Sequence, residues 1–586
     1  VARAAASTIP AVNRYLVTSA LPYANGPIHF GHVVGAYLPA DVYVRTLRMM
    51  GEQVLFLCGT DEHGVAITIG AEAQGVDYGA YVAHWRGVIK STFDRLGIAF
   101  DHWSGTSISP PHAELSRAFF RRLHANGYLI EQQGEQLFSP SQGRFQADRY
   151  VIGTCNKCGY DPARGDECPR CGSWLDALEL GNPRSKVDGL PLERRATRHW
   201  YLDLPKLRDE GLGAWAREHE WKSNVATFLG NLLADTHPRA ITRDMDWGVP
   251  VPEEIAGQGS GKVLYVWFDA PIGYVSLTQE WCDARAAAGA PRETWRDWWA
   301  SPDTRLVHFI GKDNIPFHTF VFPAMLFGQR DGLVLPWQVP ANEFYNLQGR
   351  KFSTSGGWTI DLDRFFGEYD ADAARFHLVS SMPETADSEW SWTGFQATVN
   401  AGLADKIGNL VTRVLRFSAK HFDGRVPALA PAEEADLDRI LLAECGPLAD
   451  PGRSIREFRF RRATEEILAL ATAANVFLDR TAPWSLRATQ PERCQSVVNT
   501  AAEWIALLAR WCAPIMPVKA QALWTMVGRS GAVAEAGWPA LPTPGAWRTA
   551  RGGTVIGEIS TPFQKLDDAR IAAEVDSLQK LLPSNG

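Results

Sequence analysis

The chain has no run of 18 uninterrupted apolar residues, so nothing in it reads as a membrane-spanning helix. Its first dozen residues lack an apolar stretch long enough for a signal peptide, and the expected compartment is the cytoplasm. Basic residues are not in excess: 59 Lys and Arg against 66 Asp and Glu leave a net charge of -7. Such a chain has no overall field that draws in nucleic acid, so any RNA contact must use a local surface and directed side chains. Cysteine is scarce and odd in number, nine in 586 residues, which argues against a disulfide framework. Internal repeats and low-complexity tracts are absent as well. What is present is ordinary for a globular protein, 45% hydrophobic and 21% charged residues, enough for about three to five folding units.

From residue 15 to about 125, short apolar runs alternate with helical patterns, and the alternation resumes from about 262 to 340. That predicts a parallel α/β sheet interrupted by an insertion. Four apolar runs end in polar, glycine-containing loops and read as strands: Tyr15 to Val17, Val54 to Leu57, Val263 to Phe268 and Leu306 to Ile310. Open parallel sheets bind ligands beyond the carboxyl ends of their strands, so the four loops are expected to line one pocket. Beyond about 396 the pattern turns helical. Ile455, Phe458, Ala463, Ile467, Leu470, Ala474, Phe477 and Leu478 recur at spacings near three and four, as do Val498, Ala501, Ala502, Ile505, Leu508 and Cys512. A helix bundle follows. The last forty residues read as an extended segment and a short closing helix.

Three motifs carry chemistry. His29-Phe30-Gly31-His32 follows the turn-forming Asn25-Gly26-Pro27 and opens a helix expected to run to Gly51 with a kink at Pro39. A helix start offers unpaired N–H groups and partial positive charge, two imidazoles can donate to phosphate oxygens, and glycine lets a flat base approach. This suits a nucleoside triphosphate, although alone it could be a helix start with two incidental histidines. Cys155, Cys158, Cys168 and Cys171 form CxxC, nine residues, CxxC, with glycine after the second and fourth cysteines. Four thiolates close a tetrahedral zinc and leave no open position, so one structural Zn2+ is expected; a nucleic-acid-binding ribbon is the rival use. Lys351-Phe352-Ser353-Thr354-Ser355, followed by Gly356-Gly357, is a basic, hydroxyl-bearing loop whose lysine can neutralise charge on a triphosphate leaving group. Alone, it would read as a solvated loop.

In this order, and with the flanks ALPYANGPIHFGH, YVWFDAPIGY and HFIGKDNIPFH, these motifs resemble the class I aminoacyl-tRNA synthetases, most closely the methionyl-tRNA synthetase family, over about residues 14–545. The resemblance implies a Rossmann-like catalytic domain (1–125 and 251–340) split by a connective-peptide insertion with a zinc knuckle (126–250). It further implies a KMSKS-loop and stem-contact region (341–395), an all-α helix-bundle anticodon-binding domain (396–545) and a tail (546–586). The activity implied is methionine–tRNA ligation: ATP with Mg2+ activates L-methionine as methionyl-adenylate, and the methionyl group passes to tRNA(Met). By motif, His29, Gly31, His32, Gly311, Asp313, Lys351, Ser353 and Thr354 would hold ATP, with His29, His32, Lys351 and Asp61 as the catalytic set. Asp61 would bind the α-ammonium of methionine, and Leu21, Tyr23, Trp267, Ala270, Pro271, Tyr274 and His318 would surround the thioether. Asn409, Arg413 and Trp484 would read the anticodon.

Two departures from the family pattern stand out. Thr354 occupies the place of a second lysine, and Ser139, Gln142, Ser185 and Asp188 stand where the two-zinc version of the insertion has its other cysteine pairs, which predicts one zinc. The insertion, about 125 residues, is too short for the large editing domain of the Leu, Ile and Val enzymes. Neither a membrane nor DNA is an expected partner. The chain stops before the additional module through which some members dimerise, so a monomer is expected. Two alternatives remain: a duplicated copy serving drug resistance or secondary metabolism, and a catalytically silent tRNA-binding scaffold.

Overall fold

The computed structural model describes residues 14–581 apart from 166–167, 172, 174, 354–356, 446–449 and the side chain of Arg149. Five strands form the central sheet: β1 (Arg14–Ser19), β2 (Gln53–Thr60), β3 (His102–Gly105), β4 (Thr304–Gly311) and β5 (Ala341–Asn342). They lie side by side in the order β5-β4-β1-β2-β3, and every pairing is parallel. Tyr15, Leu16 and Val17 of β1 are buried, as parallel strands covered on both faces require. At β1 the strand order reverses, with β2 and β3 on one side and β4 and β5 on the other. A crevice opens there beyond the carboxyl ends.

One expected strand is corrected. Lys262–Leu264 is a short strand paired antiparallel with Thr242–Asp244, outside the parallel sheet, and a 22-residue helix runs from Val266 to Ala287. Its first three turns are buried almost all round, from Val266 and Phe268 through Pro271, Ile272 and Tyr274 to Thr278. A helix buried on all sides shows no apolar stripe, which is why VWFDAPIGY reads as a strand. The helix opened by His29 spans Phe30 to Met49, ending two residues before Gly51. The deviation expected at Pro39 takes the form of a widened π turn over Val33–Tyr37, in which Leu38 N–H reaches back to Val33 O. Pro39 has no N–H to give, and the wide turn accommodates it.

The insertion is built on a long antiparallel ladder, Leu129–Ser139 against Glu193–Leu202, and on a smaller sheet of Val151–Thr154, Ala163–Arg164 and Gly181–Ser185 around the cysteines. The C-terminal part contains helices Asn409–His421, Pro431–Glu444, Phe460–Thr481, Pro491–Cys512 and Pro517–Met526. Ile455 and Phe458 do not belong to the Phe460–Thr481 helix: Ile455 lies in the short helix Pro451–Arg456, and Phe458 breaks the run at φ 57°. Both still face inward, Phe458 stacking on Tyr43 at 5.1 Å, so the apolar spacing continues across the break. After Pro517–Met526 the chain pairs Arg551–Ile556 with Gly424–Leu429 and closes with helix Asp568–Gln579. Among the described residues no helix is long and apolar enough to cross a membrane.

Candidate active site

A cavity of about 810 Å3 opens at the crevice. Its wall includes Leu21, Tyr23 and His32 from the segment after β1, Asp61 after β2, Trp267, Ala270, Pro271 and Tyr274 from the Val266–Ala287 helix, and His318 after β4. All eight residues expected around methionine, together with His32, therefore converge. The backbone fixes their relation: Asp61 N–H donates to Pro22 O and Ala24 N–H to Asp61 O, both at 2.9 Å.

Asp61 is the electrostatic centre of this wall. Its side chain is only 9% exposed and Oδ1 meets no hydrogen-bond partner. Burial first, and then the neighbouring Asp269 carboxylate, hold its carboxyl well above the usual range, against one hydrogen bond from the His63 backbone. A buried anion with an unspent oxygen is stabilised by an arriving cation. On the same cavity wall, Tyr274 Oη donates to His318 Nε2 at 2.8 Å, while His318 Nδ1–H faces Asn314 O at 3.1 Å. This fixes one neutral tautomer, and burial pushes His318 down to about 4. Trp267 packs edge-on against Phe317 at 3.7 Å. The result is a buried carboxyl group with an unpartnered oxygen and a neutral aromatic wall lining one cavity.

The expected nucleotide groups lie beside the cavity. Gly31 N–H donates to His29 Nδ1, and His29 N–H to His32 Nδ1, each at 3.1 Å. With both Nδ1 atoms accepting, each neutral ring carries its hydrogen on Nε2, leaving two N–H donors for an anion. Burial and the His32 ring push His29 down to about 2. At Gly31 a Cβ would stand 3.2 Å from Tyr345 O and 2.9 Å from the His29 ring, so no side chain fits. Phe352 stacks on His29 at 4.5 Å, docking the loop that follows strand Arg350–Lys351 against the histidines. Lys351 is exposed, with Nζ 4.5 Å from the Phe344 ring centre. Ser353 N–H bonds to Trp358 O at 2.9 Å; Thr354 lies outside the described residues. Gly311 ends β4, and a Cβ there would meet nothing within 4 Å. Asp313 follows in a short turn. His29, Gly31, Gly311, Asp313, Lys351 and Ser353 are not on the wall of the cavity itself.

Sequence reasoning missed part of that wall. Arg243 lines it with its guanidinium 3.9 Å from the Tyr265 ring, and Phe317 and Tyr265 add two aromatic faces. Gln136, His199 and Tyr201 reach it from the long ladder of the insertion. Tyr265 and Phe317 lie within the flanks YVWFDAPIGY and HFIGKDNIPFH, whereas Gln136, His199 and Tyr201 sit in no motif, and only the folding of that ladder over the crevice brings those three in. An arginine before an acid in a turn-rich segment, as at Arg243-Asp244, is too common a pattern to single out.

The cysteines pass a geometric test. Cys155 and Cys171 Sγ are 3.9 Å apart, Cys158 and Cys168 Sγ 3.7 Å, and all four lie within 4.8 Å of one another. Thiolates at about 2.3 Å from a tetrahedral zinc would be about 3.8 Å apart. The turn that makes this possible, Gly159 N–H to Cys155 O, recurs as Gly143 to Ser139 and Gly189 to Ser185. At those two turns the side chains bond to each other instead: Gln142 Nε2 donates to Ser185 Oγ at 2.9 Å and to Asp188 Oδ2 at 3.1 Å. The second pair of turns thus holds together without thiolates.

Far from the cavity, Asn409 and Arg413 share a face of helix Asn409–His421, and the Arg413 guanidinium lies 5.0 Å from the Trp484 ring. Trp484 is 47% exposed, unusual for so large an apolar ring. Arg413 also pairs with Asp479 at 2.6 Å, and Asn409 with Asn475 at 3.3 Å. The three expected anticodon residues therefore share one surface.

Comparison with known proteins agrees with this arrangement. The profile of the family described as tRNA synthetases class I (M) matches residues 15–415, and that of the anticodon binding domain of methionyl tRNA ligase matches 433–577. The chain is 43% identical over 589 residues to a methionine–tRNA ligase of Rubrobacter xylanophilus, covering 97% of each. It is 42% identical over 574 residues to that of Protochlamydia amoebophila, covering 97% of this chain and 80% of the relative. A structure of Mycobacterium tuberculosis methionyl-tRNA synthetase in complex with methionyl-adenylate superposes with a TM-score of 0.72 at 25% identity, over 94% of this chain and 100% of that one. By fold, by motif and by kinship, this chain belongs to the methionyl-tRNA synthetase family of class I aminoacyl-tRNA synthetases.

Proposed function

We propose that the chain is a methionine–tRNA ligase working in the cytoplasm on L-methionine, ATP with Mg2+, and tRNA(Met). The observation that carries this is the buried Asp61 carboxylate, with an unpartnered oxygen, lining the same cavity as the neutral Tyr274–His318 pair. An amino acid with an ammonium at one end and a polarizable sulfur at the other satisfies both; contacts between sulfur and aromatic faces contribute about 0.3–1.5 kcal/mol each. Leu21, Tyr23, Trp267, Ala270 and Pro271 would complete the thioether's surroundings. A carboxylate oxygen of methionine would then attack the α-phosphorus of ATP, and pyrophosphate would leave. The Nε2–H donors of His29 and His32 would hold phosphate oxygens, and Lys351 would meet the charge that builds on pyrophosphate. Gly311 and Asp313 would face the ribose, and Ser353 and Thr354 would belong to the closing loop. In the second step the terminal ribose hydroxyl of tRNA attacks the methionyl carbonyl and AMP departs.

Cys155, Cys158, Cys168 and Cys171 would hold one zinc, which would fix the fold of the knuckle. The proposed division is into catalytic halves at 1–125 and 251–340, an insertion at 126–250, a linking region at 341–395, a helical anticodon domain at 396–545 and a tail at 546–586. Asn409, Arg413 and Trp484 would take the anticodon, the tryptophan by stacking. Methionine-dependent exchange of pyrophosphate into ATP tests the first step. No exchange, with tRNA still bound, would make the chain a silent scaffold. Sedimentation of the purified protein tests the expected monomer.

A further inference from the structure

Behind the cavity wall lie three buried titratable side chains that the proposed reaction does not use. His63, two residues after Asp61, places Nδ1 2.5 Å from Asp269 Oδ2, and His112 places Nε2 3.7 Å from the same oxygen. His112 Nδ1 lies 3.1 Å from Ser276 Oγ, whose hydroxyl donates to Gly273 O. His63, Asp269 and His112 are all buried, none lines the cavity, and Asp269 Oδ1 and His112 Nε2 meet no hydrogen-bond partner. Two ligands of one tetrahedral zinc, each about 2.0–2.1 Å from it, would be about 3.4 Å apart. The 2.5 Å contact of His63 with Asp269 is instead that of a nitrogen and an oxygen joined by a proton.

This contact ties together two parts of the wall that come from separate elements. His63 belongs to the loop that carries Asp61, and that loop is anchored to the segment after β1 by Tyr23 Oη, which donates to His63 O at 2.6 Å. Asp269 belongs to the helix whose Trp267, Ala270, Pro271 and Tyr274 face the cavity. His112, from helix His112–Ala125, packs beside Asp269 with Nε2 3.7 Å from Oδ2. A ligand reaching from Asp61 to Tyr274 must match a span that the buried contact holds constant.

We propose that His63, Asp269 and His112 form a latch that sets the separation between Asp61 and the Val266–Ala287 helix, and are positioning residues that gauge the length of the amino-acid side chain. The inference rests on Asp61 receiving the substrate ammonium. A rigid latch rejects a longer side chain; a loosened one lets the helix yield to it, at the expense of affinity for the shorter.

Pyrophosphate exchange with L-methionine and with L-ethionine, one methylene longer, tests it. Asp269→Ala and His63→Leu should each raise the KM for methionine tenfold or more and leave the KM for ATP within twofold. They should also raise the ethionine-to-methionine ratio of kcat/KM at least fivefold. His63→Asn, whose amide can donate from near the position of Nδ1, should recover most of the wild-type ratio. A wild-type ratio in both disruptive variants, or equal loss for methionine and ATP, would overturn the latch. Should Asp269→Ala not fold, Ser276→Ala takes its place: it removes only the hydroxyl partner of His112, and the ratio must rise at least twofold or the latch fails. Asp61→Asn separates the two ideas. If that variant keeps the wild-type KM for methionine, the ammonium assignment is wrong; if its KM rises while the latch variants keep the wild-type ratio, only the latch is wrong.

Discussion

Asp61 concentrates the energetics of the pocket. Its carboxyl is buried, its Oδ1 is unpartnered, and Asp269 adds repulsion that a bound cation would offset. Replacing it by alanine should lower methionine-dependent exchange by a factor of about 10²–10⁴, equivalent to the roughly 3–5 kcal/mol lost when one partner of a buried pair is removed. The pH dependence has a definite sign. The folded-state pKa lies above the ordinary 3.8, so the group's contribution to stability is fully present below about 3.8 and is lost as pH rises through the raised value. Added methionine should therefore raise the melting temperature more at neutral pH than in acid, and Asp61→Asn should flatten that trend in a thermal-shift series. Asp61 was legible in the sequence because a carboxylate directly after a buried strand must find a partner. Arg243 was not, since nothing local distinguishes it from any solvated arginine.

Among the elements, the cysteine knuckle depends most on a ligand. Its own core consists of Leu137, Val151, Cys155, Ala163, Cys168, Ala177 and Leu180, too little apolar surface to fold a unit of this size without help. Metal analysis should give one zinc per chain, since the second pair of turns offers a hydrogen-bonded serine, glutamine and aspartate; two would refute the assignment. Chelation or Cys155→Ser should melt the knuckle, seen as early proteolysis between Val151 and Ser185, before the parallel sheet unfolds. Trp484 belongs to a different element, the short helix Pro483–Leu486 after helix Phe460–Thr481, where its ring is exposed beside the Arg413 guanidinium. Trp484→Ala should spare exchange and weaken tRNA charging by about 1–3 kcal/mol, the usual contribution of stacking on one base. Equal losses in both assays would point to misfolding. Helix periodicity made the bundle legible, yet hid the break at Phe458, because an apolar residue at the junction keeps the spacing while leaving the helix.

Across the whole molecule, one core runs from β1 through the linking region into the C-terminal helices. Arg375 rivets it. Its guanidinium, fully buried, bonds Asp41 Oδ2 at 2.6 Å, Leu96 O at 3.0 Å, Pro514 O at 2.9 Å and Ile515 O at 2.7 Å, so it joins the catalytic body to the bundle. Burial opposes ionisation of Asp41, but Arg375 and Arg45 outweigh it and hold the carboxyl below its usual range. Arg375→Ala should destabilise the protein by about 3–5 kcal/mol, read as a lowered urea midpoint, because it leaves three carbonyls without their donor and the buried Asp41 carboxylate with Arg45 as its remaining cation. The closing helix adds a second tie: Glu574 accepts from Arg364 and from Tyr369 Oη, next to the segment that follows the Lys351 loop.

By itself the sequence determined the alternation of strand and helix, the four thiolates, the paired histidines and the carboxylate after β2. Each is a local pattern whose chemistry depends on neighbours a few residues away. Only the tertiary structure decided that VWFDAPIGY is a buried helix, that Arg243, Tyr265 and Phe317 share the cavity with Asp61, and that His63 meets Asp269 across 206 positions of chain. Those outcomes depend on contacts between distant segments, and burial on every side erases the periodicity from which a sequence can be read.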